Sequence, residues 1–308
     1  MLRPMRFLPF AGWVPDLPTT SSGTIVDIKN AIPMSIDERT GATVYGPTLG
    51  PSRLTDTPVP DKPVGSIGFV KNDGTEVNIV GTEVDLYSLG VDGAWTSVVP
   101  ASITLSSITA WNFELYGENI IAVAQDTAPL ILKPTATQFA LLGGSPPDAG
   151  AIATVGGFVV LASIEDHPMR VQWSGLDAAE IWGTSISDMS DFQDLHGNGG
   201  RVEALVPGER GLIFQERTIQ RMEFTGSDIV FRIDNILPGA GTRAPRSVCW
   251  QGKDVFFYGL DGFYRMHIDN TEPLPIGAGK VDQWFLRNAN TTRLREVVGA
   301  VDHHRELV

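Results

Sequence analysis

A chain of 308 residues with a net charge of −13 lacks the basic footprint that groove-reading or phosphate-neutralising nucleic-acid binders need. Its 42% hydrophobic content can bury a sizeable core, and its 19% charged content is not that of a disordered tail. No apolar run of about eighteen residues is present, so no transmembrane helix is expected.

In chain order, the N-terminus Met1-Leu2-Arg3-Pro4-Met5-Arg6 is basic. Pro15, Asp16 and Pro18 then interrupt the apolar residues behind it, so the segment does not read as a secretory signal. Prolines recur through residues 1–65 and prohibit long helices and central strands there. Only Gly23-Thr24-Ile25-Val26-Asp27-Ile28 reads as a strand. Residues 1–65 are therefore expected to form an extended arm, whose apolar Phe7, Phe10, Trp13 and Val14 need a neighbour within or between subunits.

From residue 66 onward short apolar segments recur between Gly, Asp, Asn and Pro turns. Five are the tightest: Val77-Asn78-Ile79-Val80, Ile120-Ile121-Ala122-Val123, Phe158-Val159-Val160-Leu161, Leu212-Ile213-Phe214 and Val255-Phe256-Phe257-Tyr258. Each suits a strand buried on both faces. From Ile79 through Ile121, Val159 and Ile213 to Phe256, the steps are 42, 38, 54 and 43 residues.

A segment precedes each marker: Ile67–Val70, Ile108–Trp111, Ile152–Val155, Val202–Leu205 and Val248–Trp250. A partner comes after it: Val84–Tyr87, Leu130–Leu132, Val171–Trp173, Ile219–Met222 and Phe263–Met266. Tight turns such as Gly259-Leu260-Asp261-Gly262 join them. More polar segments, Trp95–Val98 and Phe231–Ile233, close several repeats. Three to four strands every forty-odd residues is the pattern of an all-β, β-propeller-like fold. The expected organisation is an arm at 1–65 and a propeller at 66–308, with about five blades and the start of a sixth at Val297–Val308.

An insertion occupies residues 175–200, with a short helical stretch expected at Leu176–Trp182 and a Ser/Asp-rich loop after it. Val281, Trp284 and Phe285 sit at helical spacing. Cys249, lone and within an apolar strand pattern, reads as a buried small hydrophobe, consistent with a reducing compartment.

Enzyme and metal signals are weak. Gly90-Val91-Asp92-Gly93-Ala94-Trp95-Thr96 partly matches the structural Asp-box turn of sialidase-type propellers, but occurs once and lacks the leading Ser or Thr. No carboxylate pair for glycoside hydrolysis is identifiable. Of His167, His196, His267, His303 and His304 only the last two are close, and neighbours on a strand face opposite ways. Asp188, Asp191 and Asp194 lack the alternating spacing of a calcium loop. Gly277-Ala278-Gly279 follows no strand-to-helix transition and carries no dinucleotide message. No catalytic, cofactor or metal residue is assigned.

Several segments, in order, carry a resemblance. Trp13-Val14-Pro15-Asp16-Leu17-Pro18, Ile28-Lys29-Asn30-Ala31-Ile32-Pro33 and Tyr45-Gly46-Pro47 resemble the opening of short-tailed bacteriophage tail proteins. Val171-Gln172-Trp173-Ser174-Gly175, with Trp182 and Ser187-Asp188, looks like their third-blade pattern. Val255 through Tyr264, then Pro275-Ile276-Gly277 and Lys280-Val281-Asp282-Gln283-Trp284-Phe285, is similar to their most recognisable stretch. The family is that of tail nozzle, tail tubular or head-to-tail stabilisation proteins.

The resemblance implies a non-enzymatic β-propeller in a homo-oligomeric ring, commonly a hexamer, below the portal and adaptor. It implies tail fibres or spikes as partners, assembly in the host cytoplasm and a final place in the virion tail. Double-stranded DNA would pass through the ring without sequence-specific contacts. Family members usually continue well past the point where this chain stops, which suggests a truncated or short member. The insertion bearing Asp188, Asp191 and Asp194 is one candidate for lining that channel or a subunit contact; the alternative is that its charges only keep a surface loop soluble. The alternative readings are a carbohydrate-binding propeller and a sialidase-like glycosidase.

Overall fold

The structure, a computed structural model, describes residues 12–18, 20–21, 24–36, 43–47, 50, 52–227 and 229–302. Its strands build five four-stranded antiparallel sheets and one two-stranded hairpin, an all-β fold of β-propeller type. Two compact units divide the chain, Arg53–Pro245 on one hand and Met1–Ser52 with Arg246–Val308 on the other.

In the hairpin, β1 (Ala31–Ile36) pairs with β2 (Thr43–Pro47). The strand expected at 23–28 is absent among the described residues there. Ile25 makes only an isolated parallel bridge to Trp13, and the extended pairing begins after Asn30 turns the chain at φ 55°.

Four sheets lie in Arg53–Pro245. The first holds β3 (Pro63–Val70), β4 (Glu76–Thr82), β5 (Leu86–Leu89) and β6 (Trp95–Ser97). The second holds β7 (Asn112–Tyr116), β8 (Asn119–Ala124), β9 (Thr127–Leu132) and β10 (Ala140–Leu141). The third holds β11 (Ala151–Val155), β12 (Phe158–Ala162), β13 (Arg170–Trp173) and β14 (Asp191–Asp194). The fourth holds β15 (Val202–Val206), β16 (Arg210–Gln215), β17 (Thr218–Phe224) and β18 (Phe231–Pro238). Strands within each keep to chain order.

The apolar runs have a direct cause: each middle sheet is covered on both faces. On β12, Phe158, Val160 and Ala162 enter the core shared with the fourth sheet, while Val159 and Leu161 enter the core shared with the second. On β8, Ile120, Ala122 and Ala124 face the first sheet, whereas Ile121 and Val123 face the third. Alternate residues point to opposite sides of a strand, so two-sided burial removes the polar half of the pattern.

First strands of successive sheets are also stitched together. On β7 the same-face residues Asn112, Glu114 and Tyr116 reach β11 and its flanks. Asn112 Nδ2 donates to the Gly150 carbonyl (2.6 Å), Thr154 N–H donates to Glu114 Oε1 (2.9 Å) and the Tyr116 hydroxyl donates to the Gly157 carbonyl (2.9 Å). Val155 and Gly208 continue the contact to the fourth sheet as a parallel bridge.

The expected strand at Ile108–Trp111 is displaced, because β7 starts at Asn112. Ile108 and Trp111 are buried by packing on the first sheet, where the Trp111 indole N–H donates to the Thr82 carbonyl at 2.9 Å. Likewise Val84 and Asp85 form the turn before β5. The stretch Leu176–Trp182 is not helical. It is a run of turns, with Gly175 N–H donating to Ile181 O (2.8 Å) and Leu176 N–H to Asp188 O (3.1 Å).

In the other unit the fifth sheet holds β19 (Cys249–Gln251), β20 (Asp254–Tyr258), β21 (Phe263–His267) and β22 (Leu274–Pro275). A short helix comes next, α1 (Asp282–Asn288), where the spacing of Val281, Trp284 and Phe285 predicts one. Phe256, expected to be buried, is half-buried, whereas Val255 and Phe257 on the opposite face are buried. The sixth-repeat strand is not found over Val297–Val301, where no strand forms. Gly299 N–H instead donates to the Arg246 carbonyl at 2.8 Å. Residues 303–308, with His303 and His304, lie outside the described residues.

Candidate functional site

The three aspartates expected to line a channel are separated by their hydrogen bonding. Asp194, on β14, sits opposite Arg170 on β13 and forms a two-pronged pair with it (2.7 and 2.9 Å), which holds its carboxyl below the usual range. The Arg170 guanidinium also lies over the Phe192 ring, 3.9 Å from its centre. Asp191, three residues earlier on the same strand, points to the other face and accepts from Thr184 Oγ1 (3.2 Å). Asp188 belongs to the preceding loop and accepts from the Ser185 and Ser187 hydroxyls (2.7 and 3.1 Å). The loop is moored where Trp173 Nε1 donates to the Met189 carbonyl (2.9 Å). Asp194 is thus neutralised locally, and no shared carboxylate site forms.

A different place gathers distant residues. Helix α1 starts with Val281 in the capping position, a side chain with no acceptor to offer. Asp16 supplies it from far away in sequence. Its Oδ1 accepts from Trp284 N–H (2.7 Å) and its Oδ2 from Gln283 N–H (3.0 Å), the bonds an N-cap carboxylate would make. Asp16 N–H in turn donates to the Lys280 carbonyl (3.0 Å). Trp13 packs edge-on against Trp284 with ring centres 5.2 Å apart, and Trp13 N–H donates to the Tyr45 hydroxyl on β2 (2.8 Å).

The first residue of the helix, Asp282, turns inward and is buried. Its Oδ1 accepts from Phe263 N–H at 3.0 Å. Gly262 and Gly277 enclose the carboxyl so closely that a Cβ on either would run into it. Below, Phe285 packs on Phe263 and Tyr258, both with ring centres 5.0 Å away. Burial pushes the Asp282 carboxyl up; the Phe263 N–H opposes this, and the nearby charges of Asp16 and Asp261 add to it. Tyr264 donates to Asp261 (2.7 Å), and that bond, with burial and the charges of Asp261 and Asp282, pushes its phenol up to about 12.

This joint unites residues from segments the sequence singles out separately: Trp13 and Asp16, Tyr45, Tyr258 through Tyr264, and Gly277 through Phe285. No local pattern in the sequence marks Asp16 or Asp282 for a role. The available signals were the Pro-bracketed Asp16 and the glycines at 262 and 277.

Elsewhere, Cys249 is buried, and burial pushes its thiol up. The Asp-box-like turn closes through Gly90 N–H to Ala94 O (2.9 Å) and Ala94 N–H to Asp92 Oδ1 (3.1 Å), a purely local role for that aspartate. Among the described residues no three His, Cys, Asp or Glu side chains converge to hold a metal, and no helix is long and apolar enough to cross a membrane.

No family model and no curated protein matches the chain. Similar solved structures include YCF48 from Cyanidioschyzon merolae, at 16% identity over 75% of each chain with a TM-score of 0.44. An auxiliary nutrient binding protein from Bacteroides ovatus is 8% identical over 70% of this chain and 57% of its own, with a TM-score of 0.45. Virginiamycin B lyase from Staphylococcus aureus is 13% identical over 74% and 69%, with a TM-score of 0.43. At these values the likenesses carry no functional argument, and the fold assignment rests on the sheets themselves.

Proposed function

We propose that this chain is a structural protein of the tail nozzle of a short-tailed bacteriophage, a non-enzymatic ring subunit through which genomic DNA leaves the particle. The observation that carries the reading is the joint around Asp282. Segments of the resemblance near the start of the chain, residues 13–18 and 45–47, meet the stretch 258–285 in one packed unit, with Asp16 capping α1 and Gly262 and Gly277 accommodating Asp282. An ordered set of weak motifs whose members touch one another is stronger support than the same motifs scattered.

The charge fits the task. A hexamer would carry about −80 formal charges, a field that repels duplex DNA from the wall and avoids the counterion-release affinity of Lys–phosphate contacts. In this reading the chain assembles in the host cytoplasm, resides in the virion tail, and meets the portal or adaptor on one side and fibres or spikes on the other. Asp188 and Asp191 remain its channel or subunit-contact candidates. Asp194 contributes little field, because Arg170 offsets it.

Electron microscopy of the purified full chain tests the reading. Closed rings with a central opening, dissociating as subunit repulsion grows at low salt, are the expected result; monomers at every concentration and salt would count against it.

A further inference from the structure

Between the first and second sheets a groove of about 320 Å³ opens to solvent, at the small end of the range of roughly 300–1,000 Å³ typical of ligand pockets. Its floor is apolar and includes the half-buried Phe69 ring and Leu132. Ser88, Thr96 and Thr137 bring three hydroxyls to its lining, and none of the three side chains has a hydrogen-bond partner among the described residues. Ser88 and Thr96 are register partners on β5 and β6, so their hydroxyls stand side by side.

Two charged side chains tie the sheets together at the groove. Lys71 Nζ donates to the Pro134 carbonyl (2.9 Å), and Glu118 Oε1 accepts from Asn72 N–H (2.9 Å). Each reaches from its own sheet to the other. The walls are therefore fixed before any ligand arrives, which lowers the ordering cost of binding.

We propose that this groove binds a neutral monosaccharide unit. Of the two lysines that line the groove, Lys133 is paired with Glu180 outside it (2.7 Å), which leaves Lys71 and Glu118, a balance that favours neither an anion nor a cation. Hydroxyls that both donate and accept, beside a fixed ammonium donor and a fixed carboxylate acceptor, match a ligand whose own hydroxyls do both. A pyranose also has an apolar C–H face, which the phenyl ring and Leu132 can cover. Sugar binding at this groove does not depend on ring assembly and applies to the isolated chain.

Saturation-transfer NMR on the full chain with glucose, galactose, mannose and N-acetylglucosamine tests it, with glucuronate as a charged control. At least one neutral sugar should receive saturation through its ring C–H protons. The double variant T96V/T137V, isosteric and lying on the surface, should keep the wild-type melting temperature and bind that sugar roughly tenfold more weakly, the loss expected for two hydrogen bonds of modest strength. No transfer to any of the four neutral sugars would overturn the proposal. So would a preference for glucuronate, or unchanged binding by the double variant, which would place the sugar elsewhere. Should the double variant melt early, S88A provides the same comparison.

Discussion

Asp16 does for α1 what Val281, in the capping position, cannot. Without the carboxylate, two N–H groups at the start of the helix lose their acceptor, and the segment around Trp13 keeps only its backbone bond from Asp16 N–H to the Lys280 carbonyl as a polar tie to α1. Asp16→Ala should therefore destabilise the protein by about 1 kcal/mol, within the ~0.5–2 kcal/mol span of N-cap removals, and Asp16→Asn should recover most of it. Urea denaturation of the three proteins checks this; equal midpoints would show that the contact carries no stability.

Asp282 makes a pH-dependent contribution with a definite sign. Burial raises its pKa, so the folded protein holds this proton more tightly than the unfolded chain, whose Asp titrates near ~3.9. The stability it adds is fully present below that value and is lost as pH rises through the raised folded pKa. Asp282→Asn keeps an acceptor for Phe263 N–H and cannot titrate. The stability of the wild type relative to D282N should accordingly fall as pH rises across that window and level off above it. Denaturation midpoints measured from about pH 3 to pH 7 test this, and a relative stability that rises with pH would contradict the sign.

At the scale of elements, burial on β20 separates two adjacent aromatics. Phe257 is 3% exposed and stacks on Tyr264, whereas Phe256, on the other face, is only half-buried. Phe257→Ala should cost about 3–5 kcal/mol and Phe256→Ala clearly less. Equal losses in thermal denaturation would mean that the two faces are equally packed.

The repeats were legible because two-sided burial writes itself into sequence: the markers at Ile79, Ile121, Val159 and Ile213 are all buried on the second strand of a sheet. Segments held in place by other means misled. Ile108–Trp111 has the composition of a strand but is covered as a plug on the first sheet. Leu176–Trp182 has helix-forming residues, yet Leu176 and Asp177 N–H donate to the Asp188 and Gly157 carbonyls, and Ala178 and Ile181 N–H close turns instead of a helix. At the candidate site, Val281, Trp284 and Phe285 revealed α1, while its cap was invisible, because the partner lies at the other end of the chain and no local spacing connects them.

The whole molecule combines an all-β fold of stitched sheets, a strongly acidic chain and an N-terminal segment clasped to α1. The proposed nozzle role draws on the acidity, which would keep DNA off a channel wall. A nozzle subunit must above all be found in the virion tail. Immunogold labelling of virions that encode the chain, viewed by electron microscopy, examines that place without intermediaries. Gold confined to the tail, below the head-to-tail junction, is the predicted result; gold absent from particles, with the chain found only in the soluble fraction of the lysed host, would contradict it.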